Sequence, residues 1–524
     1  MPRTLFSSVI FSVLVFACSS ESNDTSEPPD SDTSSPEPMV VQPKCNPGFE
    51  TDFLGLEGQP INATLTCQSD TSLSDLVFKV ENLPEGATFD AATKKITWTP
   101  LLNQSGAHPI VVSIDSLEES ATIDLNITDA FEDPNNMLPL DPATYKEEFG
   151  LPVLWISYEP TDREFQPIEF YYRGEKLEAE ARLRGASSTS YDKKSYAFKF
   201  LSQRLSEDKV ADFGSRSRMV ATSTFDDNSY LRQRLVYTLW NQLDPTIKLQ
   251  AYSGVMYING VFHGLYTFTD QPGEELTQRA GLAPNGNLYK AINHDANFNT
   301  VRNNGNAKTT LHDGYEKEEG NPKEGEVGAF DDLDQFVEFV ALSSDDEFNA
   351  QIEGQTELID YHKWFLLATY TLSEDSGGKN SYHYHNQTQS LPWTPFPWDF
   401  NHSFGQTWTT VRRDSGRINH FTVTNHLFTR LESHPIQGPM RDQLFRNELS
   451  QGVFHKDHVL ELVSSFENET KRAAQRDWGR WQNQYRGFFR WDQRTDFTTY
   501  DEEMTYLKSW IEARWQVYSD LFPE

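Results

Sequence analysis

Leu231, Leu235, Leu239 and Leu243 recur every fourth position. That spacing lays one apolar stripe along a helix, which Pro245 cannot continue. A second helical pattern runs from about Leu358 to Leu372, and the chain closes on an aromatic-rich one carrying Tyr506, Trp510, Trp515 and Tyr518. Elsewhere the period drops to two. Asn259-Gly260 sits between Val255-Met256-Tyr257-Ile258 and Val261-Phe262-His263, and both turn residues tolerate the positive φ of a two-residue hairpin. Leu76-Val77-Phe78-Lys79-Val80 and Ile110-Val111-Val112-Ser113-Ile114 are short alternating runs between turn-rich stretches, the pattern of an all-β sandwich. Beyond about residue 141, strands and helices mix without a βαβ repeat, which predicts α+β. Asn293 to Asp334, rich in Asn, Gly, Glu and Asp, reads as a surface insertion.

Polar gaps divide the chain. Arg3 followed by the apolar run Leu5 to Ala17 has the length of a signal-peptide core and is too short to span a bilayer. It ends at Val15-Phe16-Ala17-Cys18, which resembles a bacterial lipobox and marks Cys18 for lipidation. Ser19 to Pro43 is Ser, Thr, Pro, Asp and Glu with almost nothing to bury. The expected order is a lipoprotein signal peptide over 1–18 and a disordered linker over 19–44. A β-sandwich follows over 45–129, a second linker over 130–140 and an α+β domain over 141–524. Of three cysteines, one would carry lipid, leaving Cys45 and Cys67 to pair in an oxidising compartment. The protein is therefore expected outside the cytoplasm, held by an N-terminal lipid alone. Ser19 after the cysteine favours the outer membrane or cell surface.

Composition narrows the partners. Twelve Trp and 35 Phe suit a large packed core, and a net charge of −33 repels phosphate backbones, so nucleic acid is not an expected partner.

Several catalytic signatures are absent: no Walker A, GxSxG, HExxH or CxxC occurs. His383 and His385 alternate on one strand face, where partly exposed strand residues are expected and paired metal ligands are the alternative. The informative stretch is Ser373-Glu374-Asp375-Ser376-Gly377-Gly378-Lys379-Asn380, followed by Pro397-Trp398-Asp399-Phe400. Phosphoryl transfer needs such a set: one carboxylate to orient a hydroxyl, and an amide oxygen and a second carboxylate to hold Mg²⁺. Spacing alone also describes an ordinary acidic turn.

Further blocks change that balance. Arg182-Leu183-Arg184-Gly185-Ala186-Ser187-Ser188 precedes Lys193-Lys194-Ser195-Tyr196-Ala197-Phe198-Lys199-Phe200. Asp227-Asn228-Ser229-Tyr230-Leu231-Arg232, Asn259-Gly260 to Tyr266, Asn287-Leu288-Tyr289-Lys290 and Trp398-Asp399-Phe400-Asn401-His402-Ser403-Phe404-Gly405 follow in order. Together they resemble the CotH family of atypical kinases. Leu83 to Asp90 with Ile96-Thr97-Trp98-Thr99-Pro100 resembles the immunoglobulin-like repeats of bacterial surface proteins, which usually serve as spacers.

The resemblance implies an immunoglobulin-like sandwich followed by an atypical protein-kinase-like α+β domain. It also implies transfer of the γ-phosphate of ATP, with Mg²⁺ or Mn²⁺, to Ser or Thr of secreted or surface proteins. On matching positions Asp375 would be the catalytic base, and Asn380 and Asp399 the metal ligands. Arg184, Ser187 and Ser188 would cover the phosphates. Lys199 is the first choice for the phosphate-binding lysine and Lys194 the second. No acidic partner for that lysine is evident on the Leu231 helix. The family often reads W-D-x-D, and here Asn401 replaces the second acid, removing a charge from the metal site. That departure favours the alternative, a non-catalytic lipid-anchored surface binding or structural protein on a kinase-like scaffold.

Overall fold

The alternating Val, Ile and aromatic residues of the N-terminal region fold into two four-stranded sheets, described here from a computed structural model. The described residues are 46–49, 53–68, 76–101, 104–114, 119–128, 140–202, 204–205, 216–421, 424–488 and 499–523. The expected signal peptide, the 19–44 linker, Cys18, Cys45 and all but residue 140 of the second linker fall outside them. Cys67 is disulfide-bonded.

One sheet runs β1 (Asn46–Phe49), β3 (Ile61–Gln68), β6 (Lys95–Trp98), β5 (Thr88–Asp90); the other runs β2 (Leu54–Leu56), β8 (Glu119–Thr128), β7 (Gly106–Ile114), β4 (Phe78–Glu81). Alternation sends Leu65, Ile96, Trp98, Ile110, Val112, Ile114 and Leu125 into the shared core. Trp98 is 1% exposed. Its indole N–H donates to the Glu85 carbonyl at 3.2 Å, fixing the Pro84–Gly86 turn.

The next sheet closes on itself. Its strands are β9 (Glu147–Glu148), β10 (Leu151–Ile156), β11 (Gln166–Tyr172), β12 (Glu175–Arg184), β13 (Ser195–Phe200), β14 (Arg218–Thr222), β15 (Ala251–Ile258) and β16 (Val261–Thr269). The order is β11-β12-β13-β14-β16-β15-β10-β9, and β11 also pairs with β10. Its interior is apolar, with Phe170, Phe198, Met219, Met256 and Phe268 at its centre. The β15–β16 hairpin turns at Asn259 (φ 51°) and Gly260 (φ 79°), as the dipeptide predicts. Between β14 and β15, α1 (Arg232–Gln242) buries its leucine stripe and stops where Asp244 turns left-handed before Pro245. Leu231 supplies no side-chain cap, but Asp227 from the preceding loop accepts from the otherwise free Arg232 N–H at 3.0 Å.

After α2 (Glu274–Arg279) comes a smaller sheet ordered β18 (Tyr315–Glu319), β17 (Asn287–Ala291), β19 (Ser381–Asn386), β20 (Leu391–Pro397). Helices α3 (Asp331–Leu342), α4 (Asp345–Gln355), α5 (Leu358–Thr371), α6 (His426–Ser433), α7 (Gln437–Ser450), α8 (Lys456–Gly487) and α9 (Tyr500–Leu521) pack around it in one continuous core. This is α+β, with α5 and α9 where the apolar patterns place them.

Two expectations change. Residues 293–334 are not a surface insertion. They contribute strand β18, and Ala296, Phe298, Tyr315 and Ala329 are buried; a few anchors among many polar residues escape a composition count. Nor is His383 a partly exposed strand residue. It is 0% exposed, packed among Phe298, Tyr361 and Trp364, and burial pushes it down to about 3, a neutral core imidazole. His385 stacks on Trp393 and meets Asp332 at 2.6 Å.

Candidate active site

The loop after α5 is built by a helix end and two close approaches. Leu372 adopts a left-handed conformation (φ 53°), and the Ser373 N–H returns to the Ala368 carbonyl at 3.0 Å. Buried Arg514 of α9 donates to the Tyr370 and Thr369 carbonyls at 3.0 and 2.6 Å, satisfying carbonyls at the buried end of the helix. Gly377 and Gly378 have no room for a side chain. A Cβ would lie 2.0 Å from the Phe421 ring at the first and 2.1 Å from the Thr424 carbonyl oxygen at the second. Asn425, which caps α6, donates to the Gly377 carbonyl at 2.9 Å. The loop is clamped from both sides.

So clamped, Asp375 and Asn380 meet the Trp398–His402 segment after β20. The Trp398 N–H donates to the Asn380 carbonyl at 2.9 Å, and the Asn380 N–H to the Ala291 carbonyl of β17 at 3.0 Å. Asn380 (φ 56°) and Asp399 (φ 59°) are both left-handed, a cost that recurs at functional sites. The Asp399 N–H is held by the Tyr237 hydroxyl of α1 at 3.2 Å.

These residues line a cleft of about 860 Å³ between the rim of the closed sheet and the smaller sheet. Arg182 to Ala186, Ser188, Ser195 and Thr222 to Ser223 line one wall; Lys290, Glu316, Glu318 and Tyr382 line the other. The Arg184 guanidinium lies over the Trp398 ring at 4.8 Å, beside Asp399. Asp375, Asn380, Asp399, Arg184 and Ser188 thus come together as the sequence pattern requires. The side chain of Ser187, which opens the short helical turn Ser187–Ser190, lies outside what is described.

The two lysine expectations need correction. Lys199 pairs with Glu180 across the β12–β13 ladder at 3.1 Å, and Lys194 turns back to the Tyr191 carbonyl at 3.0 Å. Neither lines the cleft. Their neighbour Lys193 does not line the cleft either; it is fully buried, its ammonium meeting Asp477 of α8 at 2.6 Å and the Leu265 carbonyl at 2.6 Å. That pairing joins the β12–β13 connection to a helix 284 residues away in sequence. Among the cations that do line the cleft are Arg163, Arg182, Arg184, Lys290, Lys379 and His402.

Asp375 is surrounded by positive or donating groups: Lys379 at 2.8 Å, the Asn380 amide at 3.4 Å, His294 at 3.5 Å and His402 at 3.8 Å. Burial opposes its charge. The contacts with His294 and His402, with the charges of His402 and Lys379, outweigh burial and hold its carboxyl well below the usual carboxylate range. His402 shows the converse. Burial disfavours its charge, yet contacts with Asp226 and Asp375 push it up to about 10, so it is an imidazolium. Asn401 does not present an acid. Its amide donates to Asp226 Oδ2 at 2.7 Å, and its buried Oδ1 has no hydrogen-bond partner among the described residues.

Asp226, His402, His294 and Lys379 were not singled out by sequence reasoning. His402 and Lys379 sit inside the two motifs, and Asp226 directly precedes the Asp227 block, so proximity to motifs was the available signal. His294 lies in the stretch that composition marks as surface.

Among the described residues no group of three or more His, Cys, Asp or Glu is arranged to hold a metal ion. Mg²⁺ needs less: one or two carboxylates with amide and phosphate oxygens suffice. Asp399, the Asn380 amide and the unpartnered Asn401 oxygen are hard oxygen donors of that kind.

No curated protein compared with the chain matches it. The He_PIG family model, an Ig domain, matches residues 50–128, the two-sheet region. The family model described as CotH kinase protein matches residues 181–518, from within β12 into α9, and takes in the described lining of the cleft apart from Arg163. The chain belongs to the CotH kinase protein family.

Proposed function

We propose that this chain is an extracytoplasmic atypical protein kinase that moves the γ-phosphoryl group of ATP to serine or threonine hydroxyls of secreted or surface proteins. The observation that carries this reading is the meeting of Asp375, Asn380 and Asp399 with Arg184 and Lys290 around one cleft. A loose phosphoryl-transfer transition state asks for positioning and charge more than covalent chemistry. Asp375 accepts the acceptor hydroxyl's hydrogen bond and holds its oxygen in line. A carboxylate kept so firmly ionised is a weak base, so it takes the proton late, as the new P–O bond forms. Arg184, held flat by Trp398, and Lys290 balance phosphate charge; Ser188 adds a donor. Mg²⁺ or Mn²⁺, when bound by Asp399 and the Asn380 amide oxygen, supplies further charge neutralisation at the phosphates.

Secretion by the 1–18 segment, lipidation at Cys18, a Cys45–Cys67 disulfide and the 19–44 linker belong to the same proposal. They would display the kinase domain on the outer membrane or cell surface, with the Ig domain as spacer.

Binding tests this reading before any substrate is known. ATP with Mn²⁺ should raise the melting temperature of the full chain, and D399A should abolish the rise. A wild-type chain that does not respond to ATP with either metal refutes the nucleotide site and leaves the surface-binding alternative.

A further inference from the structure

Asp226 and His402 are built into the cleft without a role in the reading above. His402 Nε2 meets Asp226 Oδ2 at 2.7 Å, and its Nδ1 faces Asp375 Oδ2 at 3.8 Å. That Nδ1 is buried without a hydrogen-bond partner among the described residues. Asp226 is 3% exposed and tightly held. Its Oδ2 also accepts from the Tyr191 hydroxyl at 3.2 Å and the Asn401 amide at 2.7 Å, and its backbone carbonyl accepts from Gln406. Two separate segments therefore hold the carboxylate, a further bond holds its backbone, and that carboxylate fixes the ring.

We propose that His402, oriented by Asp226, is a positioning residue that sets the Asp375 carboxylate for phosphoryl transfer. The role rests on the kinase reading. Lys379 cannot substitute: it lies on the same loop as Asp375, four residues on, so its contact at 2.8 Å does not tie that loop to another segment. His402 belongs to a different segment and registers the loop against the β14–α1 connection. The 3.8 Å separation is an ion-pair contact, of the kind that commonly tightens only in the substrate complex. Asn401 takes part in this device. As an amide it donates to Asp226, whereas an acid at that position would repel the carboxylate that holds His402.

Steady-state kinetics of the full chain test the proposal, with H402Q, D226N, the double variant, and H402A with added imidazole. H402Q should lower kcat by about tenfold to a hundredfold, the range for a misplaced reacting group, with the KM for ATP nearly unchanged. D226N should do the same, and the double variant should be no worse than the poorer single one. External imidazole should restore part of the H402A rate, which a loss of packing alone would not allow. Wild-type transfer with H402Q kcat within twofold of it overturns this role alone, as do losses that multiply. Should H402Q not fold, an H402A or D226N rate equal to wild type overturns it equally. No transfer by the wild-type chain overturns the kinase reading and this role with it.

Discussion

Restoring the family's second acid should harm this protein unless a metal is supplied. In N401D the amide donor 2.7 Å from Asp226 Oδ2 becomes a carboxylate. Two carboxylate charge centres about 4 Å apart repel by about 4 kcal/mol at an effective dielectric of 20, equivalent to about three pKa units. The lost hydrogen bond adds about 1 kcal/mol, and His402, already shared between Asp226 and Asp375, returns part of the sum. One carboxyl of the new pair must then have a folded-state pKa above its unfolded value. With that sign, stability is intact below the unfolded value near 4 and falls as pH rises through the folded one. N401D should melt like wild type at pH 4 and about 2–4 kcal/mol less stably at pH 8. Mg²⁺ or Mn²⁺ at pH 8 should recover much of the difference, because a cation between the acids replaces the repulsion with coordination. Thermal or urea unfolding at the two pH values, with EDTA or with metal, measures all of this. Equal stability of N401D and wild type at pH 8 in EDTA would refute the reasoning.

K193M should cost about 3–5 kcal/mol in urea unfolding, because it strands Asp477 without its buried partner, and adding D477N should return part of that loss. G378A should depress kcat, since a Cβ 2.1 Å from the Thr424 carbonyl must displace the catalytic loop. G479A, on an exposed turn of α8 with open space around it, should instead stabilise by about 0.5–1 kcal/mol in the same melts. His402 is raised to about 10 in the folded chain, so its contribution is complete below its unfolded value near 6.5 and is lost as pH climbs to about 10. The stability gap between wild type and H402Q should therefore narrow over that window, by at most about 1.4 kcal/mol per pH unit; a constant gap would contradict a charged His402.

What the sequence reveals follows the range of the interactions. The α1 stripe, α5, α9 and the Asn259-Gly260 hairpin are local patterns, and each appears where periodicity places it. Asp375, Asn380 and Asp399 lie within 25 residues, in two motifs with distinctive neighbours, and all three line the cleft. The lysine assignment fails for a different reason. Strand alternation distinguishes faces but not partners: Lys199 is taken up by Glu180 on the neighbouring strand, and Lys193 by Asp477 from a distant helix. Closure of the large sheet through β10–β11 is likewise a long-range pairing with no local signature. Phe298 and Tyr315 show how few apolar anchors suffice to tie an otherwise polar segment into a core.

The central claim is catalysis at Asp375, and phosphoryl transfer from γ-labelled ATP tests it most directly. The full chain, with Mn²⁺ or Mg²⁺, should label itself or a casein-like acceptor on serine or threonine, and D375A should not, while still binding ATP. Labelling that survives D375A would contradict the assigned site; no labelling by wild type with either metal would contradict the kinase reading itself.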